Sequence, residues 1–222
     1  MTGRPVLLLD LDGTLSDNYA GISASIRHAL ARLEAPDPGD AELRRCIGPP
    51  LRETFARLIA EADAIRVEQA IDAYRERYSE LGWQENVAYP GVGAALEVLA
   101  GKGTKLFVCT SKPEAFAIRI VAHFGFDAFI ARVYGADLGG TLDDKRKLLA
   151  HLIASEMLDP SACAMIGDRL HDIRAAHANG TRAVGVLWGY GSREELVDAD
   201  RLLETPAQLT SLGDGFGFTR RA

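Results

Sequence analysis

The sequence predicts an α/β fold, a Rossmann-like parallel sheet with helices on both faces, interrupted by an inserted all-helical domain. Two observations support this prediction. Through most of the chain, short apolar runs alternate with longer stretches of helical periodicity, a pattern typical of a parallel sheet covered by helices. Between about Asn18 and Glu85, only helical periodicity is found.

The apolar runs are four or five residues long, which is typical of buried strands. They are Val6–Leu9, Leu106–Cys109, Phe129–Val133, Cys163–Ile166 and Ala183–Leu187. Helical patterns lie between the later runs, at Gly93–Leu99, Glu114–Phe124, Lys145–Ser155 and Ile173–Ala178.

The inserted segment begins with apolar residues at helix spacing. These are Ile22, Ile26, Ala29, Leu30 and Leu33. Pro36 and Pro38 punctuate the end of this helix, and Gly48-Pro49-Pro50 predicts a stiff loop. We therefore expect a core domain of residues 1–16 and 86–222 and a helical domain of residues 17–85.

Composition excludes several classes of protein. Of 222 residues, 47% are hydrophobic, and 31 acidic against 25 basic residues give a net charge of −6. This acidic balance argues against nucleic acid as a partner. No run approaches the roughly 20 apolar residues that cross a membrane, so no membrane association is expected. Three scattered cysteines fit neither a disulfide framework nor a zinc site, and a cytoplasmic location is expected.

Polar residues capable of chemistry follow the predicted strands. Because ligands bind outside the carboxyl ends of parallel strands, these residues are expected to converge at one edge of the sheet. Two aspartates directly behind a buried strand also need a cation to offset their burial and repulsion. The set suits a divalent metal and an anionic substrate; its members are Asp10, Asp12, Thr110, Ser111, Lys112, Lys145, Asp168 and Asp172.

At these positions the chain resembles the haloacid dehalogenase superfamily of phosphohydrolases. Asp-Leu-Asp-Gly-Thr at 10–14, Thr110, Lys145 and Gly-Asp-Arg-Leu-His-Asp at 167–172 match that family's four motifs in order. The helical insertion resembles the family's small cap domain. Phosphoglycolate phosphatase-like members are similar in pattern, since several carry a Gly-Pro-Pro-Leu loop like that at 48–51.

The resemblance implies an Mg²⁺-dependent phosphatase, and the chemistry of the residues agrees. Asp10 would be the nucleophile that forms an aspartyl-phosphate, and Asp12 the general acid and base. Gly13 would let the backbone turn closely around the phosphate. Asp10, the backbone carbonyl of Asp12, and Asp168 would bind Mg²⁺, with Asp172 supporting these ligands.

Other residues would meet the substrate. Thr110 would hydrogen-bond the phosphoryl group, and Lys145 would neutralise charge on Asp10 and on the phosphate. Ser111 and Lys112 are further candidates for contact with substrate, although Lys112 could equally begin a helix with Pro113 at its first position. In the predicted cap, Arg52 is a candidate for binding a second anionic group of the substrate, with Arg45 the weaker alternative. Arg169 and His171 are interpreted as structural.

The expected substrate is a small phosphorylated metabolite, handled by a monomer or homodimer. A sugar phosphomutase or a nucleoside-monophosphate phosphatase of the same superfamily remains an alternative, as does a non-catalytic phosphate-binding protein.

Overall fold

In the computed structural model, residues 4–59, 63–137 and 142–217 are described. The chain forms two compact units, Met1–Ser16 with Ala88–Ala222, and Asp17–Val87. Strand β1 (Val6–Leu9) belongs to the first unit. The chain leaves and re-enters that unit through two short strands that pair with each other, β2 (Ser16–Asp17) and β3 (Val87–Ala88).

The second unit is helical in its described residues. Its elements are α1 (Tyr19–Arg32), α2 (Asp40–Arg45), α3 (Leu51–Leu58), α4 (Ala64–Arg77) and a π-helical turn at Tyr78–Gly82. The predicted Gly48-Pro49-Pro50 segment forms the loop before α3. Aromatic side chains fill the interior: Tyr74 stacks on Tyr78 with ring centroids 5.3 Å apart, and the edge of Phe55 meets Tyr74.

The first unit contains a six-stranded parallel sheet in the order β5-β4-β1-β6-β7-β8. The strands besides β1 are β4 (Lys105–Pro113), β5 (Arg132–Ala136), β6 (Cys163–Gly167), β7 (Arg182–Val186) and β8 (Arg201–Leu203). Leu9 lies beside Val108 of β4 on one side and Ile166 of β6 on the other. The residues that follow these three strands therefore meet at one edge, on either side of β1.

Four α-helices connect the strands in the described part of this unit, and short 3₁₀ turns supplement them. The helices are α5 (Val92–Gly101), α6 (Glu114–His123), α7 (Lys145–Ser155) and α8 (Leu170–Ala178). Leu8 of β1 belongs to a core that includes Leu149 of α7 and Ile173 of α8. Leu7 and Leu9 point to the opposite face and are also fully buried, so both faces of the sheet are covered.

The predicted α/β fold class is confirmed, with two corrections in detail. The strand predicted at Phe129–Val133 begins at Arg132, because the N–H groups of Phe129 and Ile130 both donate to the Phe126 carbonyl at the end of a 3₁₀ turn, Phe126–Ala128, and do not join the sheet. Strand β8 was not predicted, because three residues at a sheet edge leave too short a pattern. No helix in residues 4–59, 63–137 and 142–217 is long and apolar enough to span a bilayer.

Candidate active site

The first two aspartates lie where β1 ends. The Asp10 N–H donates to the Ile166 carbonyl at 2.9 Å, which continues the pairing of β1 with β6 by one residue. The chain then turns sharply at Gly13, whose φ of 89° is a conformation that favours glycine. The Gly13 N–H donates to the Ser16 carbonyl at 2.8 Å and closes the turn. As a result, Asp10 and Asp12 are both buried, and their carboxylates need compensating charge.

Lys145 supplies the positive charge that compensates one of these carboxylates. It is the first residue of α7, and its Nζ lies 2.8 Å from Asp10 Oδ1 and also contacts Asp172 Oδ1. Burial alone would lower the pKa of Lys145, but the negative charges of Asp10 and Asp172 outweigh it and raise that pKa. Lys145 is therefore a permanent cation between two aspartates.

Asp168 and Asp172 extend the cluster from β6 into α8. Oxygens of Asp10, Asp168 and Asp172 lie within 4.8 Å of one another, and all three residues are buried. Desolvation, followed by the charges of Asp10 and Asp172, raises the pKa of Asp168 to about 8. Desolvation likewise raises the pKa of Asp172 to about 6, although Lys145 opposes it. The cluster thus holds more negative charge than Lys145 alone offsets.

A divalent cation fits this donor set. Asp168 Oδ2 accepts a hydrogen bond from the Tyr190 N–H at 2.8 Å, whereas the buried Asp168 Oδ1 has no hydrogen-bond partner among the described residues. Asp172 differs, because its Oδ2 accepts from the Arg169 N–H at 3.0 Å and its Oδ1 contacts Lys145. Three converging carboxylates with one unpartnered oxygen suit a hard, oxygen-seeking ion such as Mg²⁺.

The end of β4 brings the predicted hydroxyl and the second lysine to the same region. Thr110 is buried, and its Oγ1 accepts from the Lys112 N–H at 3.3 Å. Ser111 is half-buried. Lys112 Nζ lies 2.5 Å from Asp12 Oδ2. The alternative in which Lys112 begins a helix is wrong, because β4 continues to Pro113 and α6 starts at Glu114.

The remaining predicted residues have other partners. Arg52 belongs to the helical unit, where its exposed guanidinium pairs with Glu68 at 2.9 Å, and Arg45 in the same unit pairs with Glu42 at 3.1 Å. Arg169 pairs with Glu195 at 2.8 Å, which supports its interpretation as structural.

Cys109 lies beside the cluster, and burial raises the pKa of its thiol to about 12. A protonated thiol is a poor nucleophile, so Cys109 is not a candidate for that role.

The segment after β7 also contributes and was missed from the sequence. Its Tyr190 N–H holds Asp168, and the adjacent glycines pack so closely that a Cβ on Gly189 or Gly191 would collide with Asp168. The sequence does contain a signal for this segment. Trp188-Gly189-Tyr190-Gly191 follows a predicted strand of the same sheet, and ligands bind outside the carboxyl ends of such strands.

Comparison with known protein families gives one match over most of the chain. The family described as haloacid dehalogenase-like hydrolase matches residues 7–186.

Curated relatives match over similar lengths. A 5'-nucleotidase of Pseudomonas aeruginosa is 44% identical over 192 residues, covering 86% of each chain. A phosphoglycolate phosphatase of Xanthomonas campestris is 32% identical over 209 residues, 91% of this chain and 93% of its own. Tyrosine-protein kinase PtkA of Mycobacterium tuberculosis is 40% identical over 193 residues, which cover 87% of this chain and 65% of the kinase.

Among solved structures, a predicted phosphatase from Clostridium acetobutylicum superposes with a TM-score of 0.89 at 32% identity. That match covers 94% of this chain and 97% of the other. The likeness therefore extends through both the sheet and the helical insertion.

Proposed function

Because the chain belongs to the haloacid dehalogenase-like hydrolase family, we propose that this phosphatase hydrolyses small phosphomonoesters with Mg²⁺ through an aspartyl-phosphate on Asp10. One observation carries the proposal. The buried Asp10 carboxylate lies 2.8 Å from the Lys145 ammonium and within 4.8 Å of Asp168 and Asp172. This arrangement supports the proposal, because a carboxylate is a weak nucleophile and would need nearby groups that bind the phosphate and a metal.

Asp10, Asp168 and the backbone carbonyl of Asp12 would hold the metal. Bound there, Mg²⁺ would neutralise charge on the phosphoryl oxygens and lessen the repulsion between substrate and carboxylates. Asp172 would act through Lys145 and the Arg169 N–H, both of which it contacts.

In the first step, an Asp10 carboxylate oxygen attacks phosphorus while the bond from phosphorus to the ester oxygen breaks. Asp12 donates a proton to the departing oxygen, so that an alcohol leaves. Thr110 would donate a hydrogen bond to the phosphoryl group, with Ser111 close by in sequence. Lys145 would offset the negative charge that accumulates there.

In the second step, Asp12 is ionised and takes a proton from a water molecule as that water attacks phosphorus. The bond between phosphorus and Asp10 breaks, which releases inorganic phosphate and restores the Asp10 carboxylate. Asp12 then holds the proton for the next cycle, so protons and charge balance over the two steps.

We propose further that residues 17–85 form a cap that contacts the leaving group. Two relatives suggest the substrate class: a 5'-nucleotidase at 44% identity and a phosphoglycolate phosphatase at 32%. The more similar relative favours nucleoside 5'-monophosphates, and both classes are small phosphomonoesters.

The test is release of inorganic phosphate from a panel containing p-nitrophenyl phosphate, nucleoside 5'-monophosphates, phosphoglycolate and sugar phosphates. We expect turnover with Mg²⁺ and none in excess EDTA. Asp10→Asn should lower turnover by several orders of magnitude, and Asp168→Asn should weaken the rise in thermal stability that Mg²⁺ produces in wild type. Full activity in EDTA, or an active Asp10→Asn protein free of deamidation, would contradict the mechanism.

The likeness to PtkA supplies a second candidate activity, the transfer of phosphate from ATP to tyrosine. Incubation with γ-labelled ATP separates the two candidates. A phosphatase gives at most labelled inorganic phosphate, whereas a kinase leaves stable label on tyrosine of this chain or of an added peptide.

A further inference from the structure

We infer that Lys112 is a positioning residue for Asp12, which it holds in the orientation required for proton transfer to the leaving group. This inference rests on the proposed function. It differs from the sequence-based expectation that Lys112 contacts substrate.

The contact between the two side chains is short and buried. Lys112 Nζ lies 2.5 Å from Asp12 Oδ2, and the side chains are 5% and 11% exposed. A charge-assisted hydrogen bond in such surroundings fixes a side chain more firmly than one at the surface. Removing the lysine would leave a buried carboxylate without this cation.

The two buried lysines contact different aspartates. Lys145 lies between Asp10 and Asp172, whereas Lys112 lies against Asp12. The metal-compatible cluster contains Asp10, Asp168 and Asp172, and the Asp12 carboxylate is not part of it. Asp12 thus has a cation of its own, separate from the lysine that contacts the metal-compatible cluster, which suits a residue that transfers protons.

A bulge in the backbone of β4 contains Lys112. Thr110 of β4 pairs with Gly135 of β5, but the next pair is Pro113 with Ala136. Two residues of β4, Ser111 and Lys112, therefore bulge out of the ladder, and such bulges redirect side chains near active sites. Gly135 leaves the room for this bulge, because a Cβ there would lie 2.6 Å from the Lys112 carbonyl oxygen.

The dependence of the rate on the leaving group distinguishes this role from others. An alkoxide is a poor leaving group and needs the proton of Asp12, whereas p-nitrophenolate leaves readily without it. The quantity kcat/KM reports on steps through the first phosphoryl transfer. Loss of orientation at Asp12 should therefore lower kcat/KM much more for an alkyl phosphomonoester than for p-nitrophenyl phosphate.

The experiment compares Lys112→Met with wild type on a nucleoside 5'-monophosphate and on p-nitrophenyl phosphate. We expect kcat/KM for the nucleotide to fall about 10- to 100-fold, part of the usual contribution of general acid catalysis, with a several-fold smaller loss for p-nitrophenyl phosphate. Lys112→Arg keeps a cation and should restore much of the loss. In an Asp12→Asn background, Lys112→Met should have almost no further effect. Lys105→Met, which changes an exposed lysine at the other end of β4, is the matched control.

Gly135→Ala gives an independent test that retains the lysine and keeps the inference falsifiable if Lys112→Met does not fold. Displacing the bulge should produce the same dependence on the leaving group. Equal losses on both substrates with a raised KM would assign Lys112 to phosphate binding and overturn the inference, as would additive effects in the Asp12→Asn background. These outcomes leave the proposed function intact when wild type is active and Asp10→Asn is not. A wild-type protein inactive on every substrate would refute both.

Discussion

At the level of single residues, the proposed function depends on buried carboxylates and buried lysines. Lys112 contacts Asp12, and Lys145 contacts Asp10 and Asp172; a fourth buried aspartate, Asp168, accepts a hydrogen bond from the Tyr190 N–H. The sequence alone indicates that Asp10 and Asp12 need a cation, since they follow a buried strand. It does not reveal that Asp10 contacts Lys145 while Asp12 contacts Lys112, because these contacts depend on the start of α7 and on the bulge in β4.

A substitution at Gly13 tests how closely the turn after β1 packs against Asp168. The φ of Gly13 is 89°, and a Cβ there would collide with the Asp168 carboxylate. Gly13→Ala should therefore lower the free energy of unfolding by more than the roughly 1–2 kcal/mol of a left-handed alanine. Under the proposed function it should also abolish the stabilisation expected from Mg²⁺, because Asp168 must move. Urea unfolding with and without Mg²⁺ measures both effects.

Gly125→Ala is the matched control for that substitution. Gly125 has a similar φ of 70°, but a Cβ there would meet no atom within 4 Å. It should show the backbone cost alone and keep the response to Mg²⁺. If the two variants lose the same free energy of unfolding and respond alike to Mg²⁺, the close packing of Gly13 against Asp168 has no effect on either quantity.

Among the helices and strands, those with a continuous apolar or periodic pattern can be predicted from the sequence. Short or irregular elements cannot. The helix predicted at Lys145–Ser155 has those bounds in the structure, and β1 likewise begins at Val6 and ends at Leu9. The predicted third strand is shifted, because the N–H groups of its first two residues bond to the end of the preceding 3₁₀ turn. A bulge such as that after Thr110 is invisible to periodicity, since it arises from pairing between strands.

The start of helix α7 determines where Lys145 lies, because Lys145 is the first residue of that helix. Asp144 caps this helix, accepting from the Arg146 N–H at 2.9 Å. Asp144→Ala should reduce the free energy of unfolding by about 0.5–2 kcal/mol at neutral pH, as for other helix caps. Fraying of the first turn should also reduce turnover, because Lys145 would lose its position beside Asp10.

The free energy of unfolding lost in Asp144→Ala should depend on pH, and the loss should become smaller as the pH falls. The side-chain hydrogen bond from Arg146 is the main cause that lowers the pKa of Asp144 to about 2. Its folded-state pKa thus lies below the ordinary value near 3.9, so its stabilisation is present above about pH 4 and is lost as pH falls towards 2. In urea unfolding, the difference between wild type and Asp144→Ala should shrink between pH 5 and pH 3. Asp144→Asn, which retains an acceptor oxygen, should lose less at neutral pH, and a difference that is constant with pH would contradict the assignment.

For the molecule as a whole, the proposed function assigns different chemical tasks to the two units. Phosphoryl transfer would use residues at the ends of β1, β4 and β6, in the first turns of α7 and α8 and in the segment after β7, all within one unit. None of those residues is expected to distinguish one leaving group from another. Under the proposed function, selection of the substrate falls to the helical residues 17–85, which sequence patterns predict as helical but not as specific for a ligand.

Arg52 tests that division of tasks. It is the second residue of α3, which follows Gly48-Pro49-Pro50, a loop whose prolines limit the entropy lost on ordering. Its side chain is 61% exposed, and its guanidinium pairs with Glu68 at the surface, where a bound anion would compete with that carboxylate. Arg52→Ala should lower kcat/KM for the preferred metabolite by about 10- to 100-fold, or roughly 1.4–2.7 kcal/mol of transition-state binding. Hydrolysis of p-nitrophenyl phosphate should change little, since that substrate offers no second anionic group.

Arg32→Ala is the control for this prediction, because Arg32 forms a comparably exposed ion pair with Glu76 in the same unit. It should leave both substrates unaffected. Glu68→Gln removes the competing carboxylate while keeping Arg52, so it should preserve or improve kcat/KM for the metabolite. Equal losses on both substrates in Arg52→Ala would indicate general damage to the helical unit, and no loss on either would show that the arginine serves only its surface pair with Glu68. Selective loss on the metabolite alone would instead place recognition of the leaving group in the inserted helices, as the proposed cap requires.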